Sequence, residues 1–381
     1  MPSNTFCPLP WNHLATHPQG HITLCCEAEQ NIRNVNEMTS YNFNDIQNHD
    51  TFKEARRQML NGERPEVCKR CWKSEDAGNE SKRLYEKNRL NFTEQDALNI
   101  TSDSGAINNV QYEFIELRLG NHCNQACRTC NPISSTKWLK DWLPSGGDES
   151  YILPQKVFDW PLDTNFWVSL KEHTDKLKYL YINGGEPFLI DKHLDFLNNL
   201  KNPEDITLVY STNASIQNHL YEDVWRRFKR VEIMLSIDDL YERNSYVRHH
   251  SNWSDTLNTA QWLINLDYVH VSVCQTVSSL NVYHLAEFEE FWKDKVDYIA
   301  INFVTHPEHY NAQHLPMMAK LDCIERIKNS FCYEQVRNFL SVDGDAKHFK
   351  TFVEHTKRLD ELRNQSFRDT YRDWSQILSL G

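Results

Sequence analysis

Residues 113–130 read EFIELRLGNHCNQACRTC. A short apolar run ends at Gly120, and Cys123, Cys127 and Cys130 follow at once in the spacing Cys-x3-Cys-x2-Cys. Three thiols so close on one loop reach three corners of a cubane iron–sulfur cluster. Such clusters are ordinarily held by four cysteines, so a three-cysteine loop leaves one iron open. An open position is the mark of a catalytic metal rather than a structural one. The competing reading is zinc with a fourth ligand such as His122, although zinc cysteines usually come in Cys-x2-Cys pairs.

Working outward, the run at 113–120 is the first of a series. Others stand at 178–185, 206–213, 231–238, 269–276 and 298–305, and helical patterns fall between them, for example at 193–200, 256–266 and 285–295. Strands alternating with helices imply parallel βαβ units. The expected fold is α/β, a partial (β/α)6 barrel over residues 111–310. Polar residues and glycines follow each run: Gly184-Gly185-Glu186-Pro187, Ser211-Thr212-Asn213, Ser236-Ile237-Asp238 and Thr276-Val277-Ser278. In parallel β/α architectures ligands bind at the carboxyl ends of strands, which is where these residues fall. Residues 311–381 form a helical carboxyl-terminal extension, whose tail from about 345 reads as helix and as a packing or lid element.

The first 110 residues differ in texture. They are polar and show no sustained strand alternation; one helix is predicted from Asn44 to Asn61, where Ile46, Phe52, Ala55 and Met59 recur at helical spacing. They also hold a second cysteine group. Cys7 is followed by Gly20, then Cys25, then Cys68-x2-Cys71. Four thiolates complete a closed site for a [4Fe–4S] cluster or zinc, and Cys26 stands beside Cys25 as a spare ligand. Cys274, Cys323 and Cys332 are isolated and read as ordinary buried residues.

Composition narrows the partners. The 381 residues carry a net charge of −12, which repels phosphate backbones and disfavours a general nucleic-acid binder. The opening residues lack a basic segment followed by a long apolar run, so no signal peptide is read. No stretch reaches the ~18 apolar residues of a membrane span. The expectation is a cytoplasmic protein without membrane partners, and in a reducing compartment grouped cysteines are metal ligands or catalytic groups more often than disulfides.

The cysteine loop after the first strand, with GGEP at 184–187 after the second, resembles the radical S-adenosylmethionine (SAM) superfamily. The amino-terminal cysteines, GERPEVCKRCWKSEDAGNESKR (62–83) and VTHPEHYNAQHLP (304–316) resemble members with an amino-terminal Twitch/SPASM-like auxiliary domain, here residues 1–110. The resemblance implies two [4Fe–4S] clusters and S-adenosyl-L-methionine as cofactors. It places the cofactor's methionine end at Gly184, Gly185 and Glu186, polar contacts at Asn213 and Ser236, and a carboxylate-pairing arginine at Arg248. Thr276-Val277-Ser278 looks like an adenine edge contact. Thr129 departs from the aromatic residue often found before the third cysteine. The implied activity is reductive cleavage to a 5′-deoxyadenosyl radical, fed by a low-potential electron donor such as flavodoxin or ferredoxin. No added leader-binding domain is read, so the expected substrate is a small polar metabolite. A peptide or protein side chain is the alternative, and a non-catalytic zinc or electron-carrier protein a third reading.

Overall fold

The computed structural model describes residues 4–28, 31–34 and 41–379. In chain order the strands are β1 (His13–Thr16), β2 (His21–Thr23), β3 (Asn31–Asn34), β4 (Phe114–Leu119), β5 (Ala126–Cys127), β6 (Tyr179–Gly184), β7 (Thr207–Thr212), β8 (Arg230–Ser236), β9 (Arg248–His249), β10 (Val269–Val277) and β11 (Tyr298–Phe303). The six apolar runs of the sequence become β4, β6, β7, β8, β10 and β11. Helices fall between them, among them Thr164–Lys171, Lys192–Asn198, Glu222–Trp225, Trp253–Ile264 and Leu285–Trp292. This is the α/β element order of a partial (β/α)6 barrel.

Two-residue periodicity shapes these strands. In β8, Val231, Ile233 and Leu235 are buried while Glu232, Met234 and Ser236 stay half-exposed; β10 repeats the pattern with Val271 and Val273 inside and Ser272, Cys274 and Thr276 half-exposed. Gln275 breaks the apolar rule on the buried face, and its amide donates to the Asp238 carbonyl at 2.9 Å. A buried polar group is tolerable when it is so partnered.

The chain divides into two compact units. The first comprises 1–122, 157–210 and 219–231, and the second 123–156, 211–218 and 232–381. In the first unit the strand order is β3-β2-β1-β4-β6-β7. β1 pairs parallel with β4, β4 with β6 and β6 with β7, whereas β1–β2 and β2–β3 are antiparallel. In the second, β10 and β11 pair parallel and β5 pairs antiparallel with β9. A large apolar core there gathers Val277, Leu280, Tyr310, Phe352, Tyr371 and Trp374 around the carboxyl-terminal helices.

Three elements differ from the sequence expectation. The polar amino-terminal region contributes the β1–β3 meander, whose strands are too short for alternation to show. The helix expected over 44–61 is two, Phe43–Gln47 and Asp50–Leu60, because His49 adopts extended backbone and caps the second helix through the Thr51 N–H. Ile46, Phe52, Ala55 and Met59 are all buried as expected. The tail is likewise broken: Ala346–Arg363 ends at Asn364 in the left-handed region (φ 50°), and two short helices, Phe367–Thr370 and Arg372–Ile377, follow. Residues 380–381 of that tail lie outside the described residues. Cys323 and Cys332 are buried, while Cys274 is half-buried and accepts from the Asn302 amide at 3.0 Å. No described helix is long and apolar enough to cross a membrane.

Candidate metal centres

The cysteine loop leaves β4 through Gly120 and enters the second unit at Cys123. Each sulfur has a polar neighbour. The Asn213 amide approaches Cys123 Sγ at 3.8 Å and the Arg248 guanidinium approaches Cys127 Sγ at 3.7 Å. Cys127 Sγ stands 3.7 Å from the Gln125 side-chain oxygen and Cys130 Sγ 3.8 Å from the Asn131 carbonyl. Asn213 comes from the residue after β7, and its orientation is fixed by Asn124 and Ser215, with its Nδ2 donating to Asn124 Oδ1 at 2.9 Å. Arg248 is held by Asp238 at 2.9 Å. Burial works against its charge, but Asp238 and then Cys127 raise its pKa further above the ordinary range. Asp238 also accepts the Thr276 N–H at 2.9 Å.

Burial pushes the Cys127 thiol well up and the Cys130 thiol up to about 11. Thiols so placed ionise when a cation lies against them. The donor set therefore fits an iron–sulfur group: three soft ligands, with N–H donors from Asn213 and Arg248 aimed at two of the sulfurs.

The GGEP turn belongs to the first unit. Gly184, at the end of β6, has φ 143°, and a Cβ there would stand 2.5 Å from the Leu119 nitrogen; one at Gly185 would stand 2.2 Å from the His122 carbonyl oxygen. Only glycine permits these approaches. The Glu186 N–H donates to that same carbonyl at 2.7 Å, and its buried carboxylate accepts the Phe188 N–H at 3.3 Å. His122, the fourth ligand of the zinc reading, pairs through Nε2 with Asp159 at 2.7 Å.

The second cysteine group lies wholly in the first unit. Cys7, Cys25, Cys68 and Cys71 line one cavity, with Lys82 and Arg83 in its wall. Local structure explains the spacing. Gly20, left-handed at φ 84°, closes the β1–β2 turn by donating to the His17 carbonyl at 2.8 Å, so the chain doubles back from Cys7 to Cys25. Cys68 precedes the helix Lys69–Asp76, and Cys71 lies three residues on, on the same face. Cys25, not Cys26, faces the cavity. Burial pushes the thiols of Cys7, Cys25 and Cys68 well up, and burial followed by Glu116 holds Cys26 up at about 12. Four thiols around one cavity, three of them buried and Cys68 half-buried, fit a bound metal cluster that would ionise them. Arg83 forms a bidentate pair with Glu75 at 2.9 and 2.5 Å and donates to the Phe6 carbonyl at 2.9 Å. Among the described residues no three His, Cys, Asp or Glu side chains gather as a site for a single metal ion.

Residues 7–72 match the SPASM family, an iron-sulfur cluster-binding domain. That span begins at Cys7 and includes Cys25, Cys68 and Cys71, so the family match and the cavity concern the same four thiols. The SPASM-like amino-terminal module read from the sequence agrees with it. No curated protein matches the chain. Similar solved structures include native anSMEcpe with bound AdoMet, 16% identical with a TM-score of 0.39, the match covering 66% of each chain. Streptococcus suis SuiB bound to precursor peptide SuiA is 12% identical with a TM-score of 0.39, covering 83% of this chain and 72% of that one. TYW1 with a lysine-pyruvate adduct bound is 16% identical, with a TM-score of 0.31 and coverage of 58% and 72%. The chain spans about two thirds of the length of the first of these.

Sequence reasoning missed several residues of the first site. Asn124 sits inside the first cysteine gap and orients Asn213. Asp238 ends the strand run already singled out, yet Ser236 drew the attention. Asp238 is 1% exposed and receives Arg248, the Thr276 N–H and, through its carbonyl, Asn281 at 2.6 Å. Ser278 is buried, and its N–H donates to Asn281. The available signal was the tandem Asp238-Asp239 at a strand end.

Proposed function

We propose that the chain is a radical SAM enzyme whose catalytic [4Fe–4S] cluster is held by Cys123, Cys127 and Cys130. An auxiliary [4Fe–4S] cluster lies on Cys7, Cys25, Cys68 and Cys71. The domain reading is 1–110 for the auxiliary module, 111–310 for the barrel and 311–381 for a helical extension. The observation that carries the proposal is the cysteine trio with Asn213 and Arg248 donating toward two of its sulfurs, set against a separate four-cysteine cavity in a segment that matches an iron-sulfur family. Three ligands leave an exchangeable iron, whereas four close the site.

When bound, the cluster and S-adenosylmethionine supply a 5′-deoxyadenosyl radical that abstracts hydrogen from an unreactive carbon. The residues of this chain bind and orient. In this reading Gly184 and Gly185 let the turn pack tightly on Leu119 and His122 and so present its backbone to the cofactor's methionine end, with Glu186 beside it, and Ser236 offers a hydroxyl at the end of β8. Asn213 and Arg248 steady Cys123 and Cys127. Arg248 already has a carboxylate partner in Asp238, so its service is to the sulfur and the loop before any ligand carboxylate. A low-potential electron donor completes the system.

For the substrate we favour a peptide or protein side chain over the small polar metabolite expected from the sequence. SuiB and anSMEcpe have both been solved with peptides bound. In this chain β11 ends the strand order among the described residues and exposes Tyr298, and such an edge can accept an extended peptide. Anaerobic incubation of the reduced protein with S-adenosylmethionine tests the reaction: 5′-deoxyadenosine should be released, and Cys127→Ala should abolish the release. Adding peptide or small-metabolite fractions of a cell extract then tests the substrate class, and stimulation by metabolites alone would reverse it.

A further inference from the structure

The residue between the second and third loop cysteines that is most deeply held is Arg128, 1% exposed. Its charge is met by the carboxyl-terminal region. The Nη2 donates to Asp360 Oδ1 at 2.5 Å and to the Gln365 side chain at 3.1 Å, and Nε donates to the Tyr246 carbonyl at 3.2 Å. The guanidinium lies 3.8 Å over the Tyr246 ring, and the Tyr246 hydroxyl donates to the same Asp360 oxygen at 2.7 Å. The other Asp360 oxygen accepts the Phe367 N–H at 2.6 Å, after the left-handed Asn364 has turned the chain back.

The same helix grips the loop twice more. Arg363 donates to the Ala126 carbonyl at 3.0 Å, pairs with Asp141 at 3.0 Å, and lies 4.3 Å over the Trp138 ring. Trp138 in turn donates to the Cys127 carbonyl at 2.8 Å. Leu359 completes a small apolar cluster with Ala126 and Trp138, against which Cys130 packs. All these groups lie in the second unit.

A buried guanidinium needs its carboxylate, because removing one partner of a buried pair leaves an uncompensated charge. The residue carrying that charge has Cys127 on one side and Cys130 two residues away on the other. We infer that Asp360 is a positioning residue for the cysteine loop: through Arg128 it fixes the backbone from which Cys127 and Cys130 project. The tail is thus part of the cluster's outer support rather than a lid or mere packing. The inference rests on reading the trio as cluster ligands.

The test uses the full chain. Hydrogen exchange of the metal-free protein over residues 123–130 should speed up about tenfold in Asp360→Asn, as expected when local opening becomes easier, with the Cys7–Cys25 segment unchanged. Asp360→Glu should restore part of the protection. In reconstituted protein, the change that S-adenosylmethionine makes in the electron paramagnetic resonance spectrum should weaken or broaden in Asp360→Asn and stay intact in the neighbouring Glu361→Gln. A purely structural role would lower the melting temperature and leave both readouts as in wild type, and that result overturns the inference. Should Asp360→Asn fail to fold, Gln365→Ala removes the lesser acceptor and should speed loop exchange about threefold by the same reasoning; wild-type exchange there would count equally against it. If the wild-type spectrum ignores S-adenosylmethionine, the cluster reading fails, while the exchange comparison still decides whether Asp360 braces the loop.

Discussion

The two cysteine groups are built on opposite plans. The trio at 123–130 sits on one short loop, has side-chain donors directed at two of its sulfurs, and draws its support from residues as distant in sequence as Asp238, Arg248 and Asp360. The quartet at 7–71 is assembled from a hairpin and a helix, has all four thiols on one cavity, and has a largely local charge environment in Glu75, Lys82 and Arg83. Openness needs external bracing, because a loop with three ligands must keep its shape while its fourth position changes hands. A closed four-ligand site holds itself. On the proposed reading, that difference is the one expected between a cluster with an exchangeable iron and a closed one suited to electron transfer or structure.

The largest test of that contrast is Cys127→Ala, which should take 5′-deoxyadenosine release to the no-protein level. Asp238→Asn comes next. It leaves the buried Arg248 without its carboxylate, and outer ligands of this kind are worth roughly 10–100-fold in activity; stability should also fall by about 3–5 kcal/mol, read by denaturant titration. Cys68→Ala should remove about four irons, one cluster's complement, while cleavage of S-adenosylmethionine persists. Equal loss of cleavage in Cys68→Ala and Cys127→Ala would erase the distinction between the two sites.

Acid should weaken both units. Burial holds His17 and His193 of the first at about 4 and His13 well below its usual value. In the second, burial holds His249, His284 and His309 at about 4 and His355 at about 3. A base with a depressed folded pKa binds fewer protons folded than unfolded. Its stability is therefore complete above the unfolded value near 6.5 and is lost as pH falls toward 4. Asp239, raised to about 6 by burial, acts in the opposite direction over part of that range. Four histidines against one carboxyl predict net acid weakening of the second unit between pH 6.5 and 4, visible as faster hydrogen exchange there. The smallest effect is Gly20→Ala, which forces a side chain into the left-handed region at a cost of about 1–2 kcal/mol and should loosen the quartet before the trio.

What the sequence disclosed follows from range. The trio, GGEP and the six strands are local patterns, and Cys7, Cys25, Cys68 and Cys71 are distinctive by residue type. The β1–β3 meander escaped because three- and four-residue strands carry no readable period. The helix break at Asn48-His49 escaped because His49 caps through a ring nitrogen, an uncommon use of histidine. Arg248 stood out as a cation at a site, but its pairing with Asp238, a strand end away, had no local signature. The same holds for Arg128, whose partner lies 232 residues on.

That separation bears on biogenesis. While the chain emerges from the ribosome, the three sulfurs are complete long before the helix that steadies them exists. Closing so long an intervening segment carries an entropic cost, and until it is closed Arg128 stays solvated and the loop lacks its anchor to Asp360. On the proposed reading, a metal group on the trio would therefore be held firmly only after synthesis of the tail. The four-thiol cavity, finished within the first 83 residues, is free of that delay.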